Sequence, residues 1–334
     1  MKAVRIILLI LHVGIFLLLS GMLMNAYVPP KVFPWVNLLS LGFPVLIITY
    51  VLLTIFWIIC WKKRAFIFIF LGLLFFNPVL RWINFSGKSS SEIEDADLKI
   101  ISLNAKNATF GLKNIEAYID RQQADIVLLQ EYGYGTDYHF NGLKEGEKNA
   151  GVAFFTRHKI ISQKKIIEGS YEHNNAYVTQ TDIEIKGKIY RIINMYLQPF
   201  QFEKSMIQLD GNIDKREEKL KNIVKRLIPT FKMHQEQIIP IRESIETSPY
   251  PVILAGDFNA VPNSYEYYQL ADGLQDAFVK AGNGSSTSFH EYKFPIRIDY
   301  VFCSESIQPL SYKVDRSVRL SDHYPVITTF KLDN

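Results

Sequence analysis

Hydrophobic positions along the chain fall into two regimes. Residues 6 to 28, 32 to 61 and 65 to 80 are apolar stretches without a formal charge, each at or near the length that crosses a bilayer as a helix. From Leu98 onward the apolar runs are short and bounded by polar turns. Leu98 to Leu103, Asp125 to Leu129, Gly151 to Phe155, Pro251 to Ala255, Arg297 to Cys303 and Val326 to Phe330 read as strands. Val178 to Ile185 and Ile189 to Tyr196, split by Lys186-Gly187-Lys188, read as a hairpin. Leu112 to Gln122 reads as a helix. Between residues 211 and 247, Leu220, Ile223, Val224 and Leu227 share one helical face and His234, Ile238, Ile241 and Ile245 another. Pro229 lies between them, so two helices are expected there. Short strands with helical layers suggest an α+β domain, two sheets flanked by helices.

The chain therefore divides into a membrane region over 1–85 with about three transmembrane helices, a small polar linker over 86–97 and a folded domain over 98–334. A signal peptide is the competing reading of the first segment, but no A-x-A-like cleavage site closes it. Lys2 and Arg5 precede the first segment and Lys62, Lys63 and Arg64 separate the second from the third. Positive clusters favour the cytoplasm, so three crossings put the folded domain on the extracytoplasmic side of a multi-pass membrane protein. A re-entrant hairpin of the last two segments is the alternative, and if the third segment does not cross, the domain falls on the cytoplasmic side instead. His12 in the first span reads as a neutral side chain facing a neighbouring helix rather than a functional group.

Charge and cysteines narrow the chemistry. Eight of the 37 Lys and Arg and three of the 33 Asp and Glu precede Asp97, which leaves the folded domain near neutral, at about minus one. It has no global pull toward a polyanion. Cys60 and Cys303, expected on opposite sides of the membrane, form neither a disulfide framework nor a zinc cluster.

Polar residues interrupt the buried strands at five places. Asp257 and Asn259 end the run Val252 to Ala255, Asn104 ends the first strand, and Glu131 follows Ile126 to Gln130. Asp299 sits inside the strand around Tyr300, and Asp322-His323 precede the last one. Residues two apart in a strand face the same way, so Asp257 and Asn259 are expected side by side; turn chemistry is the other reading. Five coincidences at strand ends favour one shared site. Glu131, Asp257, Asp322 and the amide carbonyls of Asn104 and Asn259 are hard oxygen donors, which suit Mg2+ or Mn2+ better than zinc.

Ile101-Ser102-Leu103-Asn104, Leu129-Gln130-Glu131, Gly256-Asp257-Phe258-Asn259, Arg297-Ile298-Asp299-Tyr300 and Ser321-Asp322-His323-Tyr324-Pro325 together resemble the endonuclease/exonuclease/phosphatase superfamily, with the deoxyribonuclease I-like fold. The resemblance covers about residues 97 to 331 and implies a four-layer α/β/β/α sandwich of two mixed sheets. It implies a metal-dependent phosphoesterase in which Glu131, Asn104 and Asp322 hold the ion and Asp257 activates water. Asn259 would donate to the phosphoryl oxygen, and His323, paired with Asp299, would stabilise the transition state. Tyr196 stands in Asn194-Met195-Tyr196, where the deoxyribonuclease and sphingomyelinase lineages often have histidine and the abasic-site endonuclease lineage has tyrosine. Tyr196 is thus a catalytic candidate and Asn194 a substrate-binding one. The expected partners are the bilayer and a phosphodiester, nucleic acid or phospholipid; no protein partner is expected. The rival is a catalytically silent, membrane-anchored binding or scaffold protein that keeps the fold.

Overall fold

The structure, a computed structural model, describes residues 2–60, 62–86, 96–133, 135–147, 149–170, 175–200, 213–291 and 296–332. Three amino-terminal helices are long and apolar enough to cross a membrane: Lys2–Ala26, Trp35–Cys60 and Lys63–Leu80. The third is not a continuous α-helix, because a 3-10 turn at Leu73–Phe75 separates Lys62–Gly72 from Phe76–Leu80. Their outer faces expose Ile6, Leu17, Ile48, Phe66 and Phe70, while Leu19, Phe43, Tyr50, Trp57 and Phe75 are buried between them. His12 stacks on Phe68 and accepts from Trp57 Nε1 at 3.1 Å, so it faces its neighbours as expected.

The folded domain is built on two six-stranded sheets and a small ribbon. Its strands are β1 (Ile83–Phe85), β2 (Leu98–Asn104), β3 (Ile126–Gln130), β4 (Lys144–Glu145), β5 (Val152–Thr156), β6 (Lys159–Ile167), β7 (Tyr177–Ile185), β8 (Lys188–Tyr196), β9 (Val252–Asp257), β10 (Gln275–Asp276), β11 (Asn283–Ser285), β12 (Asp299–Cys303), β13 (Ile307–Val314) and β14 (Val326–Leu332). One sheet runs β13-β14-β2-β3-β5-β4 and the other β10-β12-β9-β8-β7-β6. Strand alternation splits each sequence between two layers. Ile100, Leu128, Phe154, Ile192, Ile253 and Val326 meet between the sheets. Ile101, Leu103, Val127 and Leu129 face outward onto the helix Leu112–Gln122. Ile193, Leu254 and Phe302 on the other sheet pack against Ile238 and Ile241. The result is the expected sandwich of two mixed sheets flanked by helices.

Three expectations change. The segment expected to be two helices is one, Ile213–Glu246, with Pro229 and Pro240 inside it. A proline removes one backbone bond and kinks a helix, and the apolar face laid on the sheet keeps this one continuous. Strands β6 and β13 were missed: β6 is mostly solvent-facing, and Pro309 breaks the register of β13. The division at residue 85 cuts through packed structure, since β1 pairs with β11 from Asn283 to Ser285. Most of the expected linker, residues 87–95, lies outside the described residues; at its end the Asp97 carboxylate accepts from Leu332 N at 3.0 Å and pairs with Lys186.

Candidate active site

Parallel pairing of β2 with β3 and of β8 with β9 sends four strands out of the same end of the sandwich. Asn104 ends β2, Glu131 follows β3, Tyr196 ends β8 and Asp257 ends β9. Antiparallel neighbours begin where these end, so Asp299 opens β12 and His323 precedes β14 at that same end. One edge thereby collects polar side chains far apart in sequence. Glu131 and Asn259 both hold left-handed backbone, at φ 44° and 46°, which costs each non-glycine residue on the order of 1 kcal/mol and recurs at functional sites.

Asp257 and Asp299 are direct cross-strand partners, an arrangement that like charges make unfavourable. His323 sits between them. Its Nδ1 lies 2.8 Å from Asp299 Oδ2 and its Nε2 lies 3.8 Å from Asp257 Oδ2. Burial works against a charge on His323, but Asp299 first and then Asp257 outweigh it and raise the imidazole pKa. Burial also raises the Asp257 pKa, and the Asp299 charge adds to this against the opposing pull of His323. Asn104 Nδ2 bridges the carboxylates of Glu131 at 2.9 Å and Asp257 at 3.0 Å.

The other candidates divide. Asn259 has left the strand: its backbone N–H donates to Asp257 Oδ1 at 2.8 Å and its Nδ2 to Leu197 O at 2.9 Å. The turn reading therefore holds for these two residues, and the face-sharing argument from strand alternation does not apply. Tyr196 is buried at the site, and burial first, then the charges of Glu131 and Asp257, holds its phenol protonated. Asp322 is tied to Lys106 Nζ at 2.6 Å and to Ser321 Oγ at 2.9 Å. Burial opposes its ionisation, but His323 and Lys106 outweigh that and lower its pKa. Asn194 is a correction. It lies between the sheets, where Nδ2 donates to Leu129 O and Ala153 O and Oδ1 accepts from Gln130 Nε2 at 2.7 Å. It shares a face with Tyr196 but sits two residues deeper, where the sandwich has closed. Lys106 and Phe289, whose ring meets that of His323 at 4.9 Å, were missed. A lysine two residues past Asn104 was the one available signal.

The donor chemistry fits a hard divalent cation. Glu131, Asp257, Asp299 and Asp322 supply four carboxylates against Lys106 and His323, and the nearest cysteine, Cys303, is buried at the far end of β12. Among the described residues, Asp257, Asp299 and His323 are the group whose ligand atoms all lie within 4.8 Å of one another. The expected trio is arranged otherwise: Asn104 turns its NH2 toward the carboxylates and its Oδ1 toward Lys106 N at 3.0 Å, and Asp322 is already ion-paired. Glu131 is the member of that trio with a carboxylate facing the cluster through Asn104.

Comparison with known proteins bears on the family and the fold. Residues 101–323 match the model of the Endonuclease/Exonuclease/phosphatase family, and residues 5–82 match a domain of unknown function (DUF8431). No curated protein matches the chain. Among solved structures, the human Nocturnin catalytic domain with bound sulfate aligns at 17% identity and TM-score 0.50, covering 71% of this chain and 94% of that one. A mannosyl-6-phosphatase from Bacteroides thetaiotaomicron VPI-5482 aligns at 18% identity and TM-score 0.47, covering 70% and 100%. At 17% identity the Nocturnin alignment speaks to the fold alone. The family match spans two thirds of the sequence and takes in Asn104, Glu131, Asp257, Asp299 and His323, and the chain belongs to the endonuclease/exonuclease/phosphatase family, whose members are phosphoesterases.

Proposed function

We propose that the protein is a membrane-anchored, divalent-metal-dependent phosphodiesterase in which Asp257 activates the attacking water. The observation that carries this is the buried Asp299–His323–Asp257 relay, whose last gap of 3.8 Å is too long for a hydrogen bond. That gap leaves a carboxylate and an imidazolium converging on a common point. Asp257, with its raised pKa, takes the proton of the water as the oxygen adds to phosphorus in line with the leaving oxygen. His323, held cationic by Asp299, donates from Nε2 to the phosphoryl oxygens as charge develops there. Asn259 Nδ2 carries two hydrogens, of which Leu197 O takes one, so it serves beside His323. Tyr196 stays a neutral donor next to Glu131. Glu131, with Asp257 or Asp299 beside it, would hold Mg2+ or Mn2+, and the ion when bound polarises the phosphate and stabilises the leaving oxygen.

A phospholipid head group suits the site better than nucleic acid. The ends of the apolar helices meet loops at the active end of the sandwich through Asn25, Leu41 and Trp82, and the domain lacks the excess of basic residues that polyanion binding favours. With three crossings the domain lies on the extracytoplasmic side, opposite Lys2, Arg5 and Lys62 to Arg64. The test is hydrolysis by the full chain in micelles of phospholipid, DNA, RNA and bis-p-nitrophenyl phosphate, each with Mn2+ and with chelator. Release of phosphorylated head groups outpacing cleavage of either nucleic acid is expected; efficient cleavage of DNA or RNA with inert phospholipid overturns the substrate assignment.

A further inference from the structure

The loop that follows Asp257 is held at both ends, and the second hold comes from the membrane helices. At its start, Asn259 donates to Leu197 O and Tyr300 Oη donates to Ala260 O at 2.9 Å. Its far end is Asn263, fully buried and at φ 70°. Asn25, in the last turn of the first apolar helix, donates from Nδ2 to Asn263 O at 2.9 Å. Arg81, at the end of the third, donates from Nη1 to Asn263 Oδ1 at 2.8 Å, and Asn263 Nδ2 donates to Pro78 O at 3.3 Å. Asn37, at the start of the second, accepts from Tyr265 N at 2.8 Å and donates to the Glu266 carboxylate at 2.9 Å. Leu41 and Trp82 pack on Val261 and Phe289, and Phe289 lies against His323. Asn25, Asn37 and Asn263 are each at most 1% exposed. Buried amides of this kind are costly unless bonded, so the contacts are built into the fold.

We propose that Asn25, Arg81 and Asn263 are positioning residues for the reaction: the ends of the membrane helices set the loop that carries Asn259 and braces Asp257. The membrane region is then a working part of the active site and not a tether. This rests on the phosphodiesterase reading for its kinetic consequence but not for its structural one. Geometry at a reacting centre is unforgiving, and a displacement of about 1 Å costs on the order of a hundredfold in rate.

The experiment uses the full chain in nanodiscs with Mn2+ and bis-p-nitrophenyl phosphate, well below every variant's melting temperature. Asn25→Ala removes one hold, and Asn263→Gly removes the side-chain holds while tolerating the positive φ. Asn84→Ala is the control, because Asn84, in β1 just past the third apolar helix, bonds Phe278 O and Val279 O without touching the loop. The first two variants are expected to lose about tenfold or more in kcat with little change in KM, and to exchange the amide hydrogens of residues 258–264 faster; Asn84→Ala should do neither. Equal kcat in all three variants, or losses that only track the folded fraction, overturns the proposal. Should the wild type hydrolyse no phosphodiester, the functional reading falls, while the exchange of 258–264 still decides the positioning claim: unchanged exchange in Asn25→Ala refutes it.

Discussion

Asp299→Asn changes one charge and almost no volume at the centre of the relay. The carboxylate lies 2.8 Å from His323 Nδ1 with both side chains buried. Two unit charges at that distance attract by roughly 6 kcal/mol at an effective dielectric of about 20, an upper limit equivalent to about four pKa units. Asp257 remains 3.8 Å away on the other side of the ring, so the fall in the imidazole pKa is expected nearer one to three units, roughly the range found for a single close counter-charge. The sign follows from the resting state. His323 has a raised pKa and is cationic through neutral pH, so the donor form is lost only as pH rises through that value. Removing Asp299 lowers it and moves the alkaline limb of kcat/KM to lower pH. From about 10, such a fall leaves the imidazole at least about half protonated at neutral pH, so the loss of kcat there is no more than about twofold and grows as pH rises. The assay is the pH profile of bis-p-nitrophenyl phosphate hydrolysis from pH 5 to 10 for wild type and variant. An alkaline limb that stays in place with a rate within about threefold of wild type would refute the electrostatic coupling of the relay.

Other consequences are as direct. Gly256 has φ 140°, and a Cβ there would stand 2.0 Å from Met195 O; Gly256→Ala should cost about 3 kcal/mol or more, read by denaturant unfolding, and a loss under about 1 kcal/mol contradicts the close approach of β8 and β9. Asn37→Ala strands the Tyr265 N–H and strips a donor from Glu266, which also binds His234 at 2.8 Å; a loss of about 1–3 kcal/mol is expected, and an unchanged melting curve would show that the junction does not stabilise the domain. Glu131→Gln should weaken Mn2+ binding on the order of tenfold or more in calorimetry at unchanged stability; identical titrations would remove Glu131 from the metal site.

The candidate site residues were legible because charge and burial conflict there. Asp257, Glu131 and Asp299 each break an apolar strand, and a strand that tolerates an acid must be repaid by a partner. Their partners were legible only through the family resemblance, since nothing in the spacing says that Asp299 and Asp257 face each other across two strands. Asn194 and Tyr196 came from the family's motif, which gives no depth, and depth separates Tyr196 beside Glu131 from Asn194, which bonds the sheets together. Pro229 promised a helix break that packing overrode. Asn25, Asn37 and Arg81 lie at or near the ends of the apolar helices and were not singled out. Their role depends on contacts to residues about 180 to 240 positions later, and no local pattern encodes such a contact. Uncharged amides beside apolar spans, where polar groups are costly, were the one hint.

The central claim is that Asp257 activates water in a divalent-metal phosphodiesterase. Its most direct test is the Mn2+ dependence of bis-p-nitrophenyl phosphate hydrolysis by the purified full chain and by Asp257→Ala. Metal-dependent turnover should fall at least about a hundredfold in the variant while the fold persists; turnover that survives both the substitution and chelation would exclude this role for Asp257.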